Sequence, residues 1–296
     1  MPFSPLKRTL RRAYRKTRSW GQVVGLTLGG NKVEKKASLF RCRKPVLLLY
    51  GFFSTRRTLA ILEKRLFMDG FTVFSINLGG IFGTFNAHNI ENVASFISEK
   101  IERLYKKYEI QGKLSIICHS KGGLIGNYYV KKLGGNKRVK LIITIGTPHN
   151  GSPWATIGTI PPLSYVFKSL KQMAPQANFL EDLKKTALPK EVTLYSIYSK
   201  DDIMCPYPAS VLDEATNIKN IEIPGMAHSE FLIKKSAYHV IKHALEDNMP
   251  KSWEVRTREN LKKAREVKKR RPFKFFQEAR KMVKRNIYVT PKSSPA

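Results

Sequence analysis

The sequence predicts an α/β protein: a mostly parallel central sheet with helices on both faces. Three observations carry this. Short, continuously apolar runs recur through the middle of the chain, among them VLLLY (46–50), LSIIC (114–118), KLIITIG (140–146) and VTLYSIY (192–198). Unbroken apolar runs of that length suit strands buried on both faces. Stretches with helical apolar spacing lie between them, and such alternation is the mark of parallel sheets. No internal repeat interrupts the order.

The elements follow in turn. After VLLLY, Leu59, Leu62 and Leu66 recur at helical spacing and Gly70 stops the helix. TVFSIN (72–77) reads as the next strand, and the glycine-rich LGGIFGTFN follows it. A long helix is expected from His88 to Glu109, with Ile90, Val93, Ala94, Ile97, Ile101, Leu104 and Tyr108 as its apolar stripe. LSIIC is followed by the helical GGLIGNYYVKKL, then by KLIITIG. Residues 151–190 break the rhythm with several prolines and short helical patterns, an insertion over one end of the sheet. Strand ends are where α/β proteins bind ligands, so this insertion is either a lid or pocket wall or a packing excursion. VTLYSIY, an edge strand in NIEIP (220–224) and a last helix over Ser229–Asp247 complete the core.

Charge divides the 296 residues more sharply than apolarity does. The formal net charge is +32. Residues 1–45 hold 13 Lys/Arg and 1 acidic residue, residues 251–296 hold 16 and 4, and the middle holds 25 and 17. The expected organisation is a basic flank over 1–44, an α/β domain over 45–250 and a basic amphipathic extension over 251–296, and whatever the flanks bind need not belong to the work of the domain. Three cysteines, Cys42, Cys118 and Cys205, give neither a disulfide framework nor a zinc spacing. They favour a reducing compartment, and the expected location is cytoplasmic, peripheral at a membrane. The paired arginines of TLRRAYRK make a weak export signal, since the apolar stretch after them is short and glycine-broken. No apolar run approaches the ~20 residues of a spanning helix.

The chemistry centres on LSIICHSKGG. A serine hydroxyl needs a base within reach and donors for the oxyanion formed on attack. A sharp strand-to-helix turn lifts the hydroxyl out of the sheet and aims free helix N–H groups at it. Ser120 has a strand before it, a helix after it and Gly122 two positions on; Cys118 stands two positions before, where glycine is usual.

With its neighbours, this motif resembles the α/β-hydrolases of the lipase and esterase group over about Pro45–Leu245. PVLLLYGFFS is similar to their oxyanion-loop strand, with Tyr50-Gly51 where His-Gly is usual. CHSKGG is similar to the nucleophile elbow, IGTPHNGS to the G-T-P-H-x-G signature, and YSIYSKDDIMCP and IEIPGMAHSEFL to the acid and histidine segments. QMAPQANFLEDL is similar to a stretch on the lid side of the pocket.

The resemblance implies Ser120 as nucleophile, His228 as general base and Asp202, rather than its neighbour Asp201, as the acid, in the order Ser…Asp…His. His119 and His149 are the competing histidines; His88, His239 and His243 read as surface or packing residues. The backbone N–H groups of Phe52 and Lys121 are the implied oxyanion donors. The Lys121 ammonium is expected in solvent or at the pocket mouth. Loop aromatics, Phe53, Trp154 and Phe179 with Phe52, Phe82 and Phe85, suit an acyl chain or ordinary core filling. No metal and no organic cofactor is expected.

The implied function is hydrolysis of acyl or lipid esters through an acyl-enzyme. The alternatives are an acyltransferase on the same fold and a non-catalytic binding protein that keeps the scaffold. Leu6, Leu10 and Tyr14 in one flank, and Phe275, Phe276, Ala279, Met282, Val283 and Ile287 in the other, make basic amphipathic patterns. These fit an anionic membrane surface, packing on the domain or, third in order, nucleic acid. Oligomeric state is not encoded in any pattern found.

Overall fold

A computed structural model describes residues 21–30, 44–79, 88–160, 167–213 and 215–247. The amphipathic patterns of both flanks, with Cys42, Phe82 and Phe85, lie outside the described residues. Six strands form one sheet in the order β2-β1-β3-β4-β5-β6, and every pairing is parallel. The α/β class with a parallel sheet is therefore as the sequence predicts.

Residues 21–28 are helical (α1). β1 (Pro45–Leu49) is buried along its whole length. A 3-10 turn, Arg56–Leu59, leads into α2 (Ala60–Met68), and the three expected leucines 59, 62 and 66 are buried. β2 (Thr72–Ser75) is an edge strand and only Phe74 of it is buried.

α3 (Ile90–Tyr108) begins at Asn89, whose side chain accepts from Asn92 N and so satisfies one of the free first-turn donors. Its buried stripe closes on Tyr105, with Leu104 and Tyr108 only half-buried. Tyr105 lies one helical step beyond Ile101 and spends its hydroxyl on the carbonyls of Gly112 and Arg138. β3 (Leu114–His119) runs straight into α4 (Lys121–Lys132) with a single residue between them. β4 (Val139–Ile145) lies beside it.

The insertion between β4 and β5 carries a 3-10 segment, Pro153–Thr159, and two short helices, α5 (Lys168–Met173) and α6 (Asn178–Lys185). Met173, Leu180 and Leu183 bury into the core, so much of this segment packs rather than covers. β5 (Thr193–Tyr198) and β6 (Ile218–Glu222) finish the sheet. The last helix, α7, spans Lys235–Asp247 and not Ser229 onward; residues Glu230–Leu232 form a separate 3-10 turn. The Glu230 carboxylate folds back to accept from Ala227 N at 2.9 Å, which holds this turn as a cap of the preceding loop.

Tyr50, the residue standing where histidine was usual, is wholly buried just past β1. Its hydroxyl accepts from Leu78 N at 2.7 Å and donates to Asn77 Oδ1 at 3.3 Å. It ties the exit of β1 to the exit of β2. Burial pushes the phenol up to about 12. Tyr50→Phe leaves the buried Leu78 N–H without its acceptor and is expected to cost about 1–3 kcal/mol, read as a lower urea midpoint with an unchanged slope.

Candidate active site

Ser120 sits between β3 and α4 with φ 55° and ψ −127°. Non-glycine residues rarely adopt such a backbone. Three hydrogen bonds hold it: Ser120 N donates to Ile145 O at 2.9 Å, and Ser120 O accepts from Gly123 N at 2.9 Å and from Thr147 Oγ1 at 3.0 Å.

Close approach sets the surrounding residue types. A Cβ on Gly122 would lie 2.6 Å from Leu49 O, and one on Gly51 2.8 Å from Ser120 Cβ. Both glycines are thus required. Cys118, the departure from the usual glycine, is absorbed on the helix side: a Cβ on Gly126 would lie 2.8 Å from its Sγ. The room glycine usually leaves in the strand is made in α4. Burial pushes the Cys118 thiol well up.

The acid and histidine loops leave β5 and β6 at the same sheet edge. His228 Nδ1 meets Asp202 Oδ2 at 2.7 Å. The other carboxylate oxygen, Oδ1, accepts from Met204 N at 2.9 Å and Cys205 N at 3.0 Å. Asp201 instead accepts from Gly225 N at 2.8 Å and shapes the histidine loop. That separates the two aspartates: one faces the imidazole, the other the backbone.

Sequence reasoning missed two supports. Gly146 has φ 53°, and a Cβ there would lie 3.0 Å from Asp202 Oδ2 and 3.1 Å from His228 Nδ1. The Asp–His pair therefore rests directly on the backbone after β4. Glu230, buried, anchors the loop through Ala227 N and an ion pair with Lys234 at 2.9 Å. A glycine after an apolar strand was a legible signal; the inward turn of Glu230 was not.

His119, the neighbour of Ser120, is buried with its ring 4.6 Å from that of His228, and its Nε2 donates to His228 O at 3.1 Å. It holds the histidine loop by its main chain. His149 is buried against Thr144 Oγ1 at 3.0 Å. Burial pulls both imidazoles down to about 3, with the His228 charge adding to His119 and Lys131 to His149.

The Lys121 side chain overturns its expectation. It is fully buried, neither solvated nor at the mouth. Its Nζ donates to His88 O at 2.6 Å and lies 5.9 Å from the Phe52 ring centre. Burial draws the ammonium down to about 7. His88 itself precedes α3 and contributes this carbonyl.

Ser120, His119 and His228 line one cavity of about 260 Å³ with Phe52 and Phe53. Phe52, Phe53 and Phe167 form an edge-to-face trio with centroids 4.9, 5.9 and 5.5 Å apart. Trp154 and Phe179, expected beside Phe53, are not in these walls. Trp154 is half exposed and donates to Ile203 O at 2.7 Å; Phe179 stacks on Tyr128 of α4 at 5.8 Å. Four cavity-lining residues, Val23, Val24, Thr27 and Leu28, come from α1. α1 lies within the N-terminal flank of residues 1–44, so part of that flank lines the cavity.

Asp202, Cys205 and His228 bring three potential metal-ligand atoms together. The facing atoms of Asp202 and His228 are already bonded to each other, and burial holds the Cys205 thiol protonated, the opposite of what a ligand needs.

The profile of the PGAP1-like alpha/beta domain family matches residues 49–245. The chain belongs to that family. Solved structures of similar shape include lipase B of Aspergillus fumigatus, at 16% identity and TM-score 0.59, matching 74% of this chain. The chain spans 56% of that lipase's length. The mature lipase BlEst2 of Bacillus licheniformis aligns over 73% of this chain and 96% of its own, at 12% identity and TM-score 0.55. Est1E from Butyrivibrio proteoclasticus aligns over 70% and 87%, at 14% and 0.51. At these identities the likeness is one of fold: this PGAP1-like chain has the α/β-hydrolase architecture of lipases and esterases.

The buried lysine predicts a pH dependence. Its folded pKa lies near 7 and its unfolded value near 10.5. Between those limits the unfolded chain binds more protons, so stability rises with pH. Lys121→Met is expected to remove that rise, read from urea unfolding at pH 7, 8.5 and 10. His119 and His149 act at the acid end, where their shared contribution is lost as pH falls from about 6.5 towards 3.

Proposed function

We propose that the protein is a serine carboxylic-ester hydrolase of the lipase and esterase type. The observation that carries the reading is the 2.7 Å bond between His228 Nδ1 and Asp202 Oδ2, on a histidine that lines the same cavity as Ser120. With Nδ1–H given to Asp202, the ring's Nε2 is left with its lone pair for the serine proton.

Ser120 Oγ attacks the ester carbonyl carbon as its proton passes to His228 Nε2. The carbonyl electron pair moves onto oxygen, and the N–H groups of Phe52 and Lys121 receive that oxyanion. Collapse expels the alcohol, which takes the proton back from Nε2, leaving acyl-Ser120. Water repeats the sequence and releases the acid. Asp202 holds the ring and stabilises its charged form; nearly full burial strengthens that attraction.

The substrate belongs to the acyl esters, a lipid ester among them. The +32 charge supports action at an anionic membrane surface, where each basic residue near the bilayer adds to attraction. No helix among the described residues is long and apolar enough to cross a membrane.

Ser120→Ala is expected to lower hydrolysis of p-nitrophenyl butyrate by about 10⁴-fold or more, with a fluorophosphonate labelling the wild type and not the variant. A folded wild type that neither hydrolyses nor labels overturns the reading. Flotation with vesicles containing phosphatidylserine is expected to carry the full-length protein. Replacing the Lys and Arg of residues 251–296 by Gln should reduce that binding; equal flotation of both proteins excludes a role for that charge.

A further inference from the structure

The walls around Ser120 are not all built by the matched domain. Residues 21–30 precede the family match, which begins at residue 49, yet they reach the cavity. Three contacts seat them on the loop that carries Phe52 and Phe53. Thr55 Oγ1 donates to Thr27 O at 3.1 Å. Thr27 Oγ1 meets Thr58 Oγ1 at 3.0 Å and donates to Val23 O at 2.8 Å, so Thr58 is the donor between the two hydroxyls. At Gly29 a Cβ would lie 2.8 Å from Arg57 Cδ, a contact only glycine permits without displacing that side chain. Thr55 and Thr58 are fully buried beneath α1.

The chemistry of this face is apolar where it meets the cavity. Val23 and Val24 are half-buried and Leu28 is 75% exposed at its edge. Phe52 and Phe53 line the same cavity. An acyl group bound to Ser120 would thus share one cavity with two aromatic rings of the β1 loop and the aliphatic side chains of α1.

We infer that α1 is a wall of the acyl-binding cavity and that Val23, Val24 and Leu28 set how long an acyl chain the site accepts. The inference rests on the ester-hydrolase reading for its substrate, and on the α1 contacts alone for its geometry. The cavity, about 260 Å³, lies just below the usual range for small-molecule pockets, about 300–1,000 Å³. One large side chain on α1 would consume much of it.

The experiment compares full-length wild type, Val24→Trp and Leu28→Arg on p-nitrophenyl acetate and p-nitrophenyl dodecanoate. The ratio of kcat/KM, dodecanoate over acetate, is expected to fall about tenfold or more in Val24→Trp and about threefold or more in Leu28→Arg. Leu28 is exposed, so its variant keeps the test open if the tryptophan disturbs folding, which a circular-dichroism melt reports. An unchanged ratio in folded Leu28→Arg and Val24→Trp overturns the inference. Failure of the chemistry itself is read separately: calorimetry of dodecanoate on Ser120→Ala and on Ser120→Ala/Val24→Trp needs no turnover. Weakening of about tenfold in the double variant supports the wall; equal affinity, or no binding to either protein, overturns it.

Discussion

The structure depends on one strained residue. Ser120 holds a positive φ that a side chain adopts at a cost of about 1–3 kcal/mol, and its surroundings over-determine it. β3 pulls from one side and α4 begins on the next residue. β4 supplies an acceptor at Ile145, and the loop just after it a donor at Thr147. The glycines at 51, 122 and 123 are consequences: each lets a neighbour, Ser120 Cβ, the Leu49 carbonyl or the Thr147 hydroxyl in turn, come closer than any Cβ would allow. Release the turn, and the reasons for those residues disappear together.

A parallel sheet then gathers the remaining groups. β1, β3, β4, β5 and β6 all end at the same edge, so loops distant in sequence meet there. The Asp202–His228 pair lies on Gly146, the next residue after β4, and His119 holds the main chain of His228 from the β3 side. Burial keeps the nearby imidazoles of His119 and His149 neutral at ordinary pH. The carboxylate of Asp202 therefore acts on His228 without a competing cation from either histidine. The same low-polarity surroundings that depress those groups strengthen the one charge aimed at the ring.

The sheet was legible because its signal is local: apolar runs and helical spacing survive any tertiary context. The site was legible in part, through glycines and small residues whose spacing reports a tight turn. In sequence, Asp202 is preferred to Asp201 through the spacing of its segment to Pro206; what Asp201 does instead, accepting from Gly225 N, is a contact between loops that no local pattern reveals. Lys121 reads in sequence as a surface cation; its position on the inward face of the first turn of α4, with the His88 carbonyl waiting, is a tertiary fact. Trp154 and Phe179 were misplaced for a related reason. An aromatic residue in an insertion can face the pocket or the core, and composition is the same for both.

The N-terminal boundary shows what charge does and does not report. Net charge marks where a chain is solvated, and by that measure residues 1–44 fall outside the domain. Packing marks where a chain is shared, and by that measure α1 belongs to the site, through Thr27, Gly29 and the side chains lining the cavity. The two measures disagree because α1 itself, residues 21–28, carries no charged residue, while basic residues flank it on both sides. An uncharged, half-apolar helix set within a cationic stretch is what a segment needs if it is to line an apolar cavity. A boundary drawn at the rise in apolarity before β1 would cut away part of the cavity it was meant to isolate.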